Sequence, residues 1–435
     1  MRKFYSFSLL MLLSMTLCGI VAVAQTVTVD NIVYNVYTHL GEANLTNGKS
    51  ATGNVVIPAE VEYEGKKYPV CNIGTSSFEN NTAINSVELP ASVNHIGLYA
   101  FDGCTGLVSV MGGAETFEYV GRMAFENTPW LANFPAEDGL KYWKGWIIDI
   151  NLPNGFDELH IKEGTVGKGR DSGGNLRGKT IYLPKSFSDF FPDDFQVEKL
   201  VVDKENPTFF SDDFGAVYKK DGEASFYSYS ESERIYVTGQ MLYKAPYKST
   251  AETFVVAEGT VCLDQSACYQ GRFERIIVPE GCEYVLDNNF RCLSSSCKYI
   301  ELPSTLKYLD MYDPRGDSQM EIVLKAKEVP ETDDNPFYEC GHITLYVPKE
   351  SLEKYLANSN YNGKFKEIKA IPDNVTLKGD INGDGKVNAA DVTTVYNYIA
   401  NPEATGLTLD KVDINGDGNV NATDITDLYN IIQME

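Results

Sequence analysis

Two twelve-residue segments near the carboxyl terminus carry oxygen-bearing side chains at a fixed spacing. They span residues 380–391 and 413–424, and each places Asp or Asn at positions 1, 3, 5, 9 and 12, with Gly at position 6. A calcium loop needs such a set, because hard cations prefer oxygen ligands and glycine permits the sharp turn. The backbone carbonyl at position 7 completes each set. The predicted ligands are Asp380, Asn382, Asp384, Lys386, Asn388, Asp391, Asp413, Asn415, Asp417, Asn419, Asn421 and Asp424. The sequence therefore predicts two bound Ca²⁺ ions.

Each loop is followed by apolar residues at the spacing of an amphipathic helix. These residues are Val392, Val395, Tyr396 and Ile399, then Ile425, Leu428, Tyr429 and Ile432. No helical pattern precedes either loop, so the predicted unit is a loop followed by a helix. Both loops end in Asp, whereas Glu is the common bidentate ligand at position 12 of an EF-hand. A single segment of this kind could be a surface turn, but two with the same ligand set favour calcium.

A duplicated calcium loop and helix resembles the type I dockerin, and the resemblance covers roughly residues 377 to 435. The resemblance implies that this module plugs into a cohesin domain of another protein. It also implies that loop positions 10 and 11, with the start of each helix, contact the cohesin. Those positions correspond to Ala389, Ala390, Thr393, Thr394, Ala422, Thr423, Thr426 and Asp427. They lack the Ser-Thr pair that is common in the family.

The first 24 residues have the composition of a cleavable secretory signal. Arg2 and Lys3 precede an apolar run over residues 9–23, and small residues end the segment at Ala22 and Ala24. The run is short for a membrane anchor, and Leu17 disfavours lipid attachment at Cys18. We therefore expect an exported protein that is secreted or held at the cell surface, with the periplasm as an alternative.

Charge and cysteine usage fit export. The formal net charge of −24 disfavours binding to nucleic acid or to an anionic membrane surface. Nine cysteines occur and no pair has C-x-x-C spacing. An oxidising compartment permits disulfides, with Cys262–Cys268 and Cys292–Cys297 the nearest candidates. Buried free thiols are the favoured interpretation, since Cys104 stands where a repeat needs a small buried side chain.

The body of the chain repeats itself with a period of 23 or 24 residues. Apolar positions at Val70, Ile73, Phe78 and Ile84 recur at Val93, Ile96, Phe101 and Leu107, then at Phe117, Val120, Phe125 and Leu131. This period lies in the range of leucine-rich repeats, in which each unit buries its apolar face against the next. The predicted fold class is a mainly β leucine-rich repeat solenoid plus a small α calcium-binding dockerin domain. In the solenoid, short parallel strands alternate with turns and one-turn helices, such as residues 75–78. Four strands are predicted at 86–89, 180–183, 275–278 and 299–302, each ending before a proline.

The sequence pattern of these repeats, which is clearest in residues 93–107, resembles the BspA-like leucine-rich repeats of bacterial surface proteins. Residues 201–218 resemble that family's asparagine-proline hairpin unit, and residues 343–355 resemble its closing strand and helix. Residues 135–180 and 222–250 match poorly. The predicted domains are a signal peptide at 1–24, an N-terminal β cap at 25–65, repeats at 66–372 and the dockerin at 377–435. The cap is predicted to form β-hairpins from residues 27–36 and 53–58.

No catalytic residue is predicted. The four histidines form no metal-binding pair, and no nucleotide-binding or nucleophile motif occurs. An aromatic cluster of Trp130, Trp143 and Trp146 with Tyr142 could stack on a sugar or could be core. The favoured function is an exported, noncatalytic binding protein whose repeats hold a macromolecule, a surface protein or a glycan, and whose dockerin docks onto a cohesin-bearing partner. Such a partner would place it in a polysaccharide-degrading assembly. The alternative is a dockerin-bearing glycoside hydrolase with a catalytic site in the degenerate middle segments.

Overall fold

The computed structural model describes residues 24–153, 155–169, 174–189, 194–228, 232–247, 252–291, 293–312, 314–333, 336–372, 379, 381–382, 387–415 and 418–434. The structural statements below concern these ranges. Apart from Ala24, the predicted signal peptide lies outside them.

The amino-terminal part begins with a meander and continues as two parallel ladders. Its strands are β1 (Gln25–Val29), β2 (Ile32–Tyr37), β3 (Glu42–Asn47), β4 (Gly53–Val56), β5 (Glu60–Tyr63), β6 (Lys66–Ile73), β7 (Ile84–Leu89), β8 (His95–Ile96), β9 (Ser109–Gly112) and β10 (Tyr119–Val120). Strands β1 to β3 pair antiparallel, and the chain then pairs in parallel along β3-β6-β8-β10. A second parallel ladder runs along β4-β7-β9. The helix α1 (Pro129–Asn133) follows.

The middle of the chain is less regular and contains longer strands. These are β11 (Leu140–Trp143), β12 (Trp146–Ile150), β13 (Phe156–His160), β14 (Gly167–Lys168), β15 (Leu176–Leu183), β16 (Phe195–Val202), β17 (Phe209–Ser211), β18 (Val217–Ser228) and β19 (Glu233–Lys244). Strands β11 and β12 form a hairpin, while β13-β15-β16 form a parallel sheet. Strands β18 and β19 form a hairpin with twelve residues in each strand.

The last part of the repeat region returns to short parallel strands. These are β20 (Thr253–Val255), β21 (Cys262–Leu263), β22 (Arg275–Ile277), β23 (Tyr284–Val285), β24 (Tyr299–Leu302), β25 (Tyr308–Leu309), β26 (Glu321–Leu324), β27 (Thr344–Val347) and β28 (Glu367–Ala370). One sheet has the order β17-β18-β19-β21-β23-β25, and the other has the order β20-β22-β24-β26-β27-β28. A 3-10 turn at Lys349–Ser351 leads into α2 (Leu352–Ala357).

The carboxyl-terminal part is helical and has its own small core. Its helices are α3 (Ala389–Ala400), α4 (Pro402–Thr405), α5 (Leu409–Val412) and α6 (Ala422–Met434). Val395, Val412 and Leu428 are fully buried at its centre.

Stacked side chains hold neighbouring repeats together. The rings of Phe78, Phe101 and Phe125 lie parallel, with centroids 5.0 and 5.4 Å apart. The backbone N–H of Phe78 donates to the carbonyl of Ala100 in the next repeat at 2.8 Å. Since each repeat presents its apolar side chains to the next, no repeat can bury them alone.

Buried asparagines tie the turns of one repeat to the next. The Asn206 amide donates to the carbonyls of Pro184 at 3.0 Å and Phe187 at 2.7 Å, and its oxygen accepts from the N–H groups of Thr208 and Phe209. An asparagine is needed there because the buried turn requires donors and acceptors on one short side chain. This accounts physically for the asparagine-proline hairpin unit predicted from the sequence.

The structure confirms the four predicted strands and the hairpin over residues 27–36. The hairpin prediction for 53–58 is wrong, because β4 pairs in parallel with β7. The predicted one-turn helix over 75–78 is also wrong. These residues form turns, since Ser76 adopts a positive φ of 53° that a helix excludes.

The three tryptophans of the aromatic cluster belong to the core, and Tyr142 is half-buried at its edge. Trp130, Trp143 and Trp146 are all buried, and the Trp146 indole donates to the carbonyl of Phe117 at 3.0 Å. The hypothesis that these indoles stack on a sugar is therefore wrong. The seven described cysteines are free thiols, and all except Cys71 are buried. Cys18 and Cys292 lie outside the described residues.

We expect Phe101→Ala to cost about 3 to 5 kcal/mol of unfolding free energy, because the change opens a cavity between two stacked rings. Denaturant unfolding followed by far-ultraviolet circular dichroism measures this cost. Val108→Ala is the matched control: its side chain is exposed, so the change should stay within about 0.5 kcal/mol. A Phe101→Ala protein that unfolds like wild type would refute the stacking described above.

Candidate metal centre and docking face

The second loop has the turn and the hydrogen bonds of a closed cation loop. Gly418 adopts a positive φ of 83° at position 6. Its N–H donates to a carboxylate oxygen of Asp413, at position 1, over 2.8 Å. This bond joins position 6 of the loop to position 1. The oxygen-only donor set suits Ca²⁺ rather than a metal that prefers nitrogen or sulfur.

The carboxylates at position 12 close both loops. Asp391 is fully buried, and one of its oxygens accepts from the N–H groups of Ile381 at 2.8 Å and Asn382 at 3.1 Å. Its other oxygen accepts from the N–H of Asn388 at 2.8 Å. The short Asp side chain thus joins the start of the loop to the start of the helix.

Asp424 makes the same three contacts in the second loop. It is fully buried, and one oxygen accepts from the N–H groups of Ile414 at 2.9 Å and Asn415 at 3.4 Å. The other oxygen accepts from the N–H of Asn421 at 2.8 Å. Since each oxygen already accepts from the backbone, these two residues shape the loops whether or not a cation is bound.

The asparagines at position 9 cap the helices that follow. The Asn388 side chain accepts from the N–H of Ala390 at 2.8 Å, and with Asp391 it forms a capping box. The Asn421 oxygen accepts from both the N–H and the hydroxyl of Thr423, each at 2.9 Å. Position 9 is therefore fixed by the helix start as well as by the loop.

Four of the twelve predicted ligands, Asp380, Asp384, Lys386 and Asp417, lie outside the described residues. The other eight lie in the two loops and at the first turns of α3 and α6. Within the described ranges, no three His, Cys, Asp or Glu side chains converge to hold a metal. In the same ranges, no helix is long and apolar enough to cross a bilayer.

The apolar loop residues supply the core under the two sites. Ile381 and Ile414, at position 2, are buried with Val387, at position 8 of the first loop. They pack with Val395 of α3 and Leu428 of α6 in one cluster. Loop closure and core formation are therefore one event, because the same backbone segments provide both.

The predicted partner-contacting residues lie on the surface of the two helices. Ala389, Ala390, Thr393, Ala422, Thr423 and Thr426 are exposed, while Thr394 and Asp427 are half-buried. The Thr393 and Thr426 hydroxyls donate to carbonyls one turn earlier, at 3.0 and 2.9 Å. This satisfies their polar groups and leaves their methyl groups available to a partner.

Two further residues of this face were misassigned from the sequence. Tyr396 and Tyr429 were predicted to lie on the buried side of their helices, but they are 54% and 47% exposed. Each tyrosine is followed by an exposed asparagine, Asn397 or Asn430, and the pair lies one helical turn after Thr393 or Thr426. The exposed residues Ala, Thr, Tyr and Asn are identical in the two helices, 33 residues apart, although the buried apolar residues differ. This identity was the signal that could have identified them.

Family models match two parts of the chain. The dockerin type I domain model matches residues 378–433. The BspA type leucine rich repeat region model matches in six copies over residues 68–148 and 252–380. No curated protein matches the sequence.

Several solved bacterial structures are similar. A leucine rich cell surface protein from Faecalibacterium prausnitzii A2-165 is 17% identical, with 84% of this chain and 98% of that one covered and a TM-score of 0.35. The pneumococcal vaccine antigen PcpA is 15% identical, with coverages of 80% and 99% and a TM-score of 0.34. A leucine-rich repeat protein from Eubacterium ventriosum is 15% identical, with coverages of 80% and 83% and a TM-score of 0.38. The fold described above rests on the strand pairing of this chain itself.

We expect Asp391→Ala to destabilise the helical part by about 1 to 3 kcal/mol, because three backbone N–H groups lose their acceptor. Hydrogen exchange of the amides of α3 and α6 in excess calcium measures the loss, and any lost calcium affinity adds to it. Asp427→Ala, on a half-buried aspartate of α6, is the control and should leave protection unchanged. Equal protection in both variants would contradict the loop-closing role.

Proposed function

We propose that this chain, a BspA-type leucine-rich repeat protein with a C-terminal type I dockerin domain, is an exported, noncatalytic binding protein that docks onto a cohesin-bearing partner. The observation that carries the proposal is the repetition of one exposed face on two helices, each beginning at a buried aspartate that accepts from the backbone at both ends of its loop. The repeat region then remains available for a second, macromolecular ligand.

Type I dockerin domains bind calcium, and we infer one ion in each loop. The ligands would be the side chains at positions 1, 3, 5, 9 and 12 together with the position-7 carbonyl, namely the twelve residues predicted from the sequence. A bound cation would neutralise carboxylates that otherwise repel one another across a small core. The residues of the chain supply the rest: position 12 closes the loop and position 9 starts the helix.

The docking surface is formed by exposed and half-buried residues of α3 and α6. It comprises Ala389, Ala390, Thr393, Thr394, Ala422, Thr423, Thr426 and Asp427, extended by Tyr396 and Tyr429. Tyrosine offers a large contact area with few rotatable bonds, which favours its use as an anchor in a partner's pocket. Because the two faces carry the same central residues, either helix could present itself to one cohesin after a half-turn of the module.

Noncatalytic binding is favoured by the composition of the described surface. The aromatic cluster that could have held a sugar is core, and the histidines are dispersed. The alternative glycoside hydrolase would release soluble sugar from a panel of glycans. Sugar release by the purified chain would therefore replace this proposal with the enzymatic one.

Docking should require calcium. We expect the chain to bind a cohesin from a panel in excess calcium and to lose binding in chelator, because the loops shape both docking helices. Asp380→Ala combined with Asp413→Ala should reproduce the chelated state in excess calcium, by removing position 1 from both loops. Binding that survives both treatments would contradict calcium control, and an absence of binding to every cohesin would contradict the docking function.

The two docking faces should be nearly equivalent. We expect Tyr396→Ala or Tyr429→Ala alone to weaken cohesin binding by less than about tenfold, since the module can turn and use its other face. The double variant should lose at least about a hundredfold, as for the loss of interface anchors. Surface-immobilised cohesin in excess calcium provides the measurement, with Tyr236→Ala on the repeat region as an exposed-tyrosine control. Complete loss from one single variant would show that a single orientation is used.

A further inference from the structure

A continuous row of polar side chains crosses the outer face of the sheet β1-β2-β3-β6-β8-β10. The strand register places one residue of each strand beside one residue of the next. Their neighbours along the strands, such as Tyr34, Leu45 and Ile73, are fully buried in the core. Because side chains alternate between the two faces of a strand, the row lies on the face opposite the core. This polar row consists of Thr26, Asn35, Asn44, Asn72, His95 and Tyr119.

Solvent reaches every member of the polar row. Thr26 is exposed, and the other five residues are half-buried. The Asn72 amide donates to the side-chain oxygen of Asn44 at 2.6 Å, and the Thr26 hydroxyl donates to that of Asn35 at 3.5 Å. An asparagine amide has two donor hydrogens and two acceptor lone pairs. These bonds therefore leave the asparagines with hydrogen-bonding capacity for a ligand.

The polar row ends in two stacked rings. The centroids of the His95 and Tyr119 rings are 4.6 Å apart, and the Tyr119 ring meets the edge of the buried Trp146 indole at 5.9 Å. Burial lowers the pKa of His95, so its imidazole is neutral at neutral pH and has one donor and one acceptor nitrogen. The polar row therefore carries no formal charge.

Charge and composition select the class of ligand. Glu42 accepts from the Asn72 amide at 3.5 Å, and Glu118 directly precedes Tyr119 in the chain. These carboxylates disfavour an anionic ligand. A protein partner is commonly anchored by Trp, Tyr or Arg in apolar pockets, but the polar row contains one tyrosine and no apolar or charged residue. Amides, an imidazole and hydroxyls match the hydroxyl groups of a neutral sugar instead.

The spacing of the polar row suits a polymer. Adjacent strands lie about 4.8 Å apart, so the six side chains extend over about 24 Å across the sheet. One sugar unit of an extended β-1,4-linked chain has nearly this length, so successive units can meet successive side chains. An extended peptide advances only about 3.3 Å per residue and does not keep this register.

We propose that the polar row binds a neutral, extended glycan whose chain runs across the strands. This inference rests on the proposed function, because it names the class of macromolecule that the repeat region holds. Asn44, Asn72 and His95 supply hydrogen bonds to sugar hydroxyls, and Tyr119 forms one end of the track. The polar row lies within residues 26–119 and the docking helices lie within residues 389–434, so the two binding functions use separate residues.

Calorimetric titration of the full-length protein with soluble hexasaccharides tests the glycan site. The probes are the β-1,4-linked hexamers of glucose, mannose and xylose, and the β-1,4-linked hexamer of mannuronic acid is the anionic comparison. We expect at least one neutral hexamer to bind. The mannuronic acid hexamer should bind at least about fivefold more weakly, as for one repulsive contact between charges in water.

Matched variants identify the surface that binds. Asn72→Leu combined with His95→Phe keeps the size of the amide and the ring that stacks on Tyr119, but removes their polar groups. Affinity for the neutral hexamer should fall at least about tenfold, because two or more hydrogen bonds are lost. Asn85→Ala, at an exposed asparagine of β7, is the control and should bind like wild type. All these proteins should still bind cohesin in excess calcium, which separates loss of the glycan from loss of docking.

Two results would overturn the glycan site. One is a wild-type protein that binds none of the neutral hexamers or prefers mannuronic acid, and the other is a double variant that binds like wild type. Either result with intact cohesin binding would remove the glycan site and leave the docking function standing. Should the double variant fail to fold, Asn44→Leu alone provides the test. It should lose about threefold in affinity for the neutral hexamer, and an unchanged affinity would count against the site.

Discussion

The repeat region depends on one constraint: each repeat can bury its apolar side chains only against the repeats beside it. Two kinds of contact between adjacent repeats show this dependence. They are the stacking of the Phe78, Phe101 and Phe125 rings and the backbone hydrogen bonds between successive turns. A chain built this way needs closed ends. The antiparallel meander covers the first layer, while Tyr355 and Tyr361 are buried beside the last strands. Loss of one layer should therefore spread to its neighbours.

The carboxyl-terminal module also has little apolar core of its own, and it is stabilised in a different way. Its apolar centre consists of a few aliphatic side chains, among them Ile381, Val395 and Leu428. The loops that supply part of this core carry three aspartates each, so cation binding there, as proposed, would support folding. The position-12 aspartates connect each loop to its helix. They accept hydrogen bonds from the loop backbone and lie in the first turn of the helix that follows. Whatever controls the loops thus also controls the presentation of Tyr396 and Tyr429.

Sequence reasoning succeeded where spacing is imposed by local chemistry. The repeat period and the strands before prolines are of this kind. It failed where tertiary contacts decide. Helical spacing groups Tyr396 with Val395, but so narrow a core buries only one of them. Residues 53–58 resemble a hairpin strand locally, yet their partner is a parallel strand about thirty residues later. No local sequence pattern predicts the hydrogen bond between the Ser228 hydroxyl and the Glu331 carboxylate.

A calcium titration of the full chain, followed by calorimetry, tests the central claim that two oxygen-lined loops create the docking module. The account predicts two ions per chain, with binding accompanied by the ordering of α3 and α6. It also predicts one ion when Asp413→Ala disables a single loop. A wild-type chain that binds no calcium, or whose C-terminal amides are equally protected in chelator, would contradict it.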